Sequence, residues 1–149
     1  MLNPDYRDIL QAFSDEQVEY LLVGAYALAA HGYPRATGDI DLWVNPTGRN
    51  ASKVMRALAL FGAPLSQISE SDFKTLDIVF QIGVEPNRID ILTQLSGVND
   101  FKEVWLDRLE ISIEGLAIPV IGKASLIQNK RSTGRPKDLA DLAWLEQSE

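Results

Sequence analysis

Ile9, Leu10 and Phe13 recur at helical spacing behind Asn3 and Pro4, a capping residue and a first-turn proline, which predicts a helix ending near Ser14. The unbroken apolar run Tyr20–Val23 reads as a short buried strand. Gly24 then permits a tight turn, and the alanine-rich residues 25–30 read as a helix packed close to a sheet, halted by Gly32, Tyr33 and Pro34. Residues 39–44 form a second strand, the Asn-Pro-Thr-Gly segment 45–48 a turn, and Val54, Leu58 and Phe61 the buried stripe of a helix closed by Gly62. Residues 63–77 are weakly patterned and read as a loop with one helical turn starting at Ser69. Residues 78–82 and 88–92 read as an antiparallel strand pair joined by the turn-rich segment 83–87. A helix over 100–106 precedes a hairpin, 110–113 and 117–120, around Glu114 and Gly115, and helices over 123–131 and 136–145 follow. Strands mixed with helices, some pairs too short for a crossover, predict an α/β (α+β) fold: a sheet of mixed direction covered by helices.

Composition narrows the chemistry. At 149 residues and 46% apolar content the chain is expected to form one domain over 1–149 with a single buried core. There is no cysteine, which excludes disulfides, thiolate metal sites and cysteine nucleophiles, so any metal must use oxygen ligands. The one histidine, His31, leaves no material for a Ser-His-Asp triad or a multi-histidine zinc site and reads as a helix-end residue. No run approaches a membrane span, and residues 1–5 lack the features of a signal segment, so the expected location is cytoplasmic without a membrane partner. A formal charge of −7 argues against broad adhesion to nucleic acid or anionic lipid. A local basic stretch remains: Lys123, Lys130, Arg131, Arg135 and Lys137 occur with no acid between them, a pattern that usually marks a solvated face.

Within the second strand Asp39 and Asp41 stand at i and i+2, so both point to one face while Ile40 and Leu42 enter the core. Adjacent carboxylates repel, and a hard divalent cation such as Mg²⁺ relieves this while keeping room for water and phosphate. A solvated strand end is the plainer alternative. Asp90, between Ile89 and Ile91, supplies a third carboxylate on a strand that could lie beside the first; as a general base it could take the proton of an attacking hydroxyl, and otherwise it sits on a hydrophilic face. Strand, Gly24 and helix start together form a place for an anion such as a triphosphate, although Gly24 alone could serve turn geometry.

These residues carry a resemblance to the nucleotidyltransferase (polymerase beta-like) superfamily, and within it to AbiEii-like members. Residues 20–32, then Arg35-Ala-Thr-Gly-Asp-Ile-Asp-Leu42, resemble the hydrophobic strand, Gly-Gly or Gly-Ser, helix and Asp-x-Asp succession. Asn87-Arg-Ile-Asp-Ile-Leu92 resembles the third-carboxylate strand, and the segments at 123–130 and 135–142 resemble the Lys-containing helix and the Arg-x-Lys-Asp-x-x-Asp helix of AbiEii-like proteins. The resemblance implies a nucleotidyltransferase-like sheet and transfer of a nucleoside monophosphate from an NTP to a hydroxyl, with Mg²⁺, or Mn²⁺ in its place, held by Asp39, Asp41 and Asp90. It also implies nucleotide contacts at Gly24, Ala25, Tyr26, Arg35, Thr37 and Lys130, with Asp138 positioning Lys130 or the nucleotide. Asp138 and Asp141, three apart on a helix, otherwise form a paired, exposed face. Gly24-Ala25 departs from the family's Gly-Gly or Gly-Ser, so no serine hydroxyl is offered to phosphate, while the backbone N–H groups of Ala25 and Tyr26 remain. The toxin-type relatives suggest tRNA or a protein as acceptor and an antitoxin as partner; the acidic charge makes a small molecule or a protein hydroxyl at least as plausible as bulk RNA, and the oligomeric state is open. A nucleotide-binding or interaction module without transfer activity is the competing class, and a structural domain with solvated acids the third. Tyr26, Phe73 and Trp43 are candidates for stacking on a base, with core packing the expected role of Trp43.

Overall fold

The computed structural model describes residues 2–34 and 36–147. Its elements are α1 (Pro4–Asp15), β1 (Tyr20–Val23), α2 (Gly24–Ala30), β2 (Asp39–Val44), α3 (Gly48–Phe61), a 3-10 turn (Glu70–Lys74), β3 (Val79–Ile82), β4 (Arg88–Leu92), α4 (Phe101–Leu106), β5 (Leu109–Ile113), β6 (Leu116–Val120), α5 (Lys123–Thr133) and α6 (Pro136–Gln147). They follow the sequence reading to within a residue or two, including the single turn after Ser69. Local chemistry sets several boundaries: Asn3 accepts from the Tyr6 N–H at the start of α1, Thr47 caps α3, and Gly62 at φ +92° ends it.

The six strands form one sheet in the order β3-β4-β2-β1-β6-β5. β1 runs antiparallel to β2 and parallel to β6, β2 runs parallel to β4, and the hairpins β3/β4 and β5/β6 close the two edges. β1 is buried along its whole length, as a central strand covered on both faces must be. One face carries Leu22, Ile40 and Leu42 toward the core, with Leu10 of α1 beside Leu22 and Ile40. The other carries Val23 and Asp41, and Asn129 and Lys130 of α5 border the same cleft as these two residues. Asn129 also ties α5 to the loop after β4 by donating to the Ser96 carbonyl at 3.0 Å. Among the described residues no helix is long and apolar enough to cross a membrane.

Candidate active site

β2 and β4 pair in a register that sets Asp39 opposite Arg88 and Asp41 opposite Asp90. Alternation along both strands therefore brings all four side chains to one face, while Ile40, Leu42, Ile89 and Ile91 point into the core. On its other flank Asp41 pairs with Val23 of β1, the residue before Gly24. Val23, Asp41 and Asp90 thus stand in a row across three neighbouring strands, and Gly24 follows Val23 at the start of α2. Gly24 has φ +72°, and a Cβ there would run into the Asp41 carboxylate, so glycine alone lets the backbone turn against that acid.

Carboxylate oxygens of Asp39, Asp41 and Asp90 lie within 4.8 Å of one another. The positive charge among them comes from Arg88, a residue the sequence reading did not single out. Its Nε and Nη2 donate to the two oxygens of Asp90 at 2.9 and 3.1 Å, and Nη2 also donates to Asp39 Oδ2 at 2.9 Å. Thr37 Oγ1 donates to the other Asp39 oxygen at 2.9 Å. One guanidinium does not balance three acids. Burial, followed by the charges of Asp39 and Asp90, pushes the Asp41 carboxyl up to about 7 against the opposing pull of Arg88. Burial likewise raises Asp90, with the Arg88 hydrogen bonds opposing it. An all-oxygen donor set, crowded and short of positive charge, fits a hard divalent cation such as Mg²⁺.

The acids open into a cleft of about 380 Å³ that Gly24, Ala25, Thr37 and Lys130 also border. The Tyr26 side chain instead meets Tyr6 edge-on at 5.5 Å and lines an apolar recess with Leu10 and Ile40. Arg35 lies outside the described residues. Phe73 is fully buried against Phe80, which removes it as a surface for stacking on a base. Trp43 packs edge-on against Phe101 in the core, as expected.

In the basic stretch Arg131, Arg135 and Lys137 are exposed, as a solvated face would have them, whereas Lys130 is buried. The side chain of Lys130 is only 8% exposed, with Nζ 3.2 Å from Asp138 Oδ1 and 3.1 Å from Asp141 Oδ2. Both aspartates are buried, so the exposed-face alternative for them does not hold. Of the leucines of α6, Leu142 and Leu145 are buried and Leu139 is left in solvent. Arg135 Nε donates to Asp138 Oδ2 at 2.7 Å. Burial alone would raise Asp138, but hydrogen bonds from Arg135, Thr133 and Lys130 hold it below the ordinary carboxylate range. The i, i+3 spacing of Asp138 and Asp141 was the available signal for a shared partner; the alternation Arg88-x-Asp90 was the signal for Arg88.

No family model and no curated protein matches the sequence. Solved structures do match the fold. A Thermotoga maritima protein provisionally assigned as a nucleotidyltransferase superposes with a TM-score of 0.65 at 18% identity, over 99% of this chain and 97% of that one. The lincosamide antibiotic adenylyltransferase LnuA, in its lincomycin-bound form, gives 0.64 at 19% identity over 99% and 98%. ANT(2")-Ia in complex with adenylyl-2"-tobramycin gives 0.62 at 15% identity over 94% and 84%. At these identities the similarity is one of architecture, and the chain has the nucleotidyltransferase fold.

Proposed function

We propose that this protein is a Mg²⁺-dependent nucleotidyltransferase that moves a nucleoside monophosphate from an NTP to a hydroxyl, with pyrophosphate leaving. The observation that carries this is the convergence of Asp39, Asp41 and Asp90 beside the turn at Gly24, on a fold shared with nucleotidyltransferases. Asp39 and Asp41 are the metal ligands, joined by Asp90. Held there, Mg²⁺, or Mn²⁺ in its place, would offset phosphate charge and polarise the transferred group. Asp90 takes the proton of the attacking hydroxyl, a role that suits a carboxyl raised by burial and requires Arg88 to free one of its oxygens. Gly24, the N–H groups of Ala25 and Tyr26, Arg35 and Thr37 form the nucleotide side. Lys130, fixed by Asp138 and Asp141 at the cleft wall, faces the triphosphate.

A small-molecule acceptor is favoured. LnuA is described with lincomycin and ANT(2")-Ia with an adenylylated tobramycin, and a net charge of −7 disfavours bulk RNA. An AbiEii-like toxin acting on tRNA or protein, with an antitoxin partner, is supported by the sequence resemblance of the α5 and α6 segments. One observation favours the competing class, a nucleotide-binding module without turnover: Arg88 already engages both oxygens of Asp90. Label from the α-phosphate of each common NTP, followed with Mg²⁺ into RNA, protein and small-molecule fractions of a cell extract, tests the assignment. Transfer is expected into the small-molecule fraction and is abolished in Asp39→Ala and Asp41→Ala. Nucleotide binding without transfer into any fraction would favour the module.

A further inference from the structure

Among the described residues the cations bordering the acid cleft are Arg88, Lys130, Arg135 and Lys137. Three of them are already committed. Arg88 donates to Asp39 and Asp90, Lys130 is held in the interior between Asp138 and Asp141, and Arg135 donates through Nε to Asp138. Lys137 is different: it is exposed at the cleft and forms no ion pair with any described residue. A triphosphate brings more negative charge than one divalent ion offsets, so its binding calls for a cation whose charge is not already matched within the protein. Lys137 is that cation.

The packing of α6 says which part of the substrate Lys137 meets. Lys137, Asp141 and Trp144 recur at i, i+4 and i+7, so they share one face of the helix. At the far end of that face Trp144 stacks on Tyr33, with 4.8 Å between ring centroids, just beyond the last turn of α2. α6 thus lies beside α2, and the first residues of both helices, Gly24 and Ala25 on one and Lys137 on the other, border the cleft. Asp90 lies on the β4 flank of Asp41, and the turn from β1 into α2 on the opposite flank. In phosphoryl-type displacement the attacking and leaving oxygens stand roughly in line on opposite sides of phosphorus. A hydroxyl that arrives beside Asp90 therefore directs the leaving group toward α2 and the start of α6. We propose that Lys137 binds the β- and γ-phosphates of the NTP and offsets the charge of the departing pyrophosphate, while Lys130, its own charge matched, fixes α5 to α6; the assignment rests on nucleotidyl transfer at the acid cluster. The acceptor oxygen forms the new bond to the α-phosphorus and its proton passes to Asp90. The bond from the α-phosphorus to the bridging oxygen breaks, and the electron pair leaves with pyrophosphate, against the Lys137 ammonium.

Inorganic pyrophosphate with Mg²⁺ is a suitable probe because it is the leaving group without base or acceptor. Calorimetry on the full chain is expected to find that Lys137→Gln weakens its binding by about tenfold or more and that Lys137→Arg, which keeps the charge, retains most of the affinity. Lys137 is exposed and unpaired, so Lys137→Gln should keep the wild-type melting temperature. Arg131→Gln controls for net charge, since Arg131 pairs with Glu146 and does not border the cleft; it should leave pyrophosphate affinity unchanged. No pyrophosphate binding by wild type, equal affinity in wild type and Lys137→Gln, or an equal loss in Arg131→Gln overturns the assignment. Transfer of α-phosphate label by wild type is measured separately. Its absence would sink nucleotidyl transfer itself, whereas transfer together with undiminished pyrophosphate affinity in Lys137→Gln would remove the role of Lys137 alone.

Discussion

Arg88 holds both oxygens of Asp90 and one of Asp39, so in the absence of a metal the guanidinium is the cation of the acid cluster. A divalent ion entering there must compete with it. Arg88→Met is therefore expected to bind Mn²⁺ at least about tenfold more tightly by calorimetry, a change of about 1.4 kcal/mol. Unchanged or weaker binding would show that Arg88 supports the metal-bound arrangement instead. Asp41 gives a second test. Burial pushes its carboxyl up from the ordinary 3.8 to about 7, so between these values the folded state binds the extra proton. Stability must then fall as pH rises through that window. The metal-free melting temperature should drop between about pH 4 and pH 7, less so in Asp41→Asn, and Mg²⁺ should restore it in wild type only. Equal pH slopes in the two proteins would remove the buried charge from the account. Both aspartates were legible in the sequence because i, i+2 spacing fixes a shared face. Arg88 was overlooked because a basic residue opening a strand reads as solvated, and only the register with β2 shows what it faces.

At the scale of elements, α5 and α6 are joined through Lys130, Asp138 and Asp141 in the protein interior. Removing one partner of a buried ion pair leaves the other uncompensated. Lys130→Ala should cost about 3–5 kcal/mol in denaturant unfolding, whereas a solvated lysine would cost close to nothing. Leu142 and Leu145 are buried in α6, and two acids share that side with them while Leu139 does not. Helical periodicity cannot report this, because what draws the acids inward is a lysine on another helix. The hairpins, caps and the turn after Ser69 were readable because each depends on neighbouring residues alone.

At the scale of the molecule, the strand order β3-β4-β2-β1-β6-β5 assembles the cluster. Periodicity predicts each strand but not that β2 lies between β1 and β4, an arrangement set by packing between distant segments. It follows that Gly24, Asp41 and Asp90, spread over much of the chain, meet only in the folded sheet. The resemblance of four ordered motifs anticipated this meeting, and architectures shared with LnuA and ANT(2")-Ia agree with it at the level of fold. The most direct test of the chemistry compares two positions of label on one NTP, with Mg²⁺ and an acceptor-containing extract. The account predicts that label at the α-phosphate enters the product while label at the γ-phosphate leaves as pyrophosphate. Transfer of the γ-label to the acceptor, or equal results with Asp41→Ala, would contradict it.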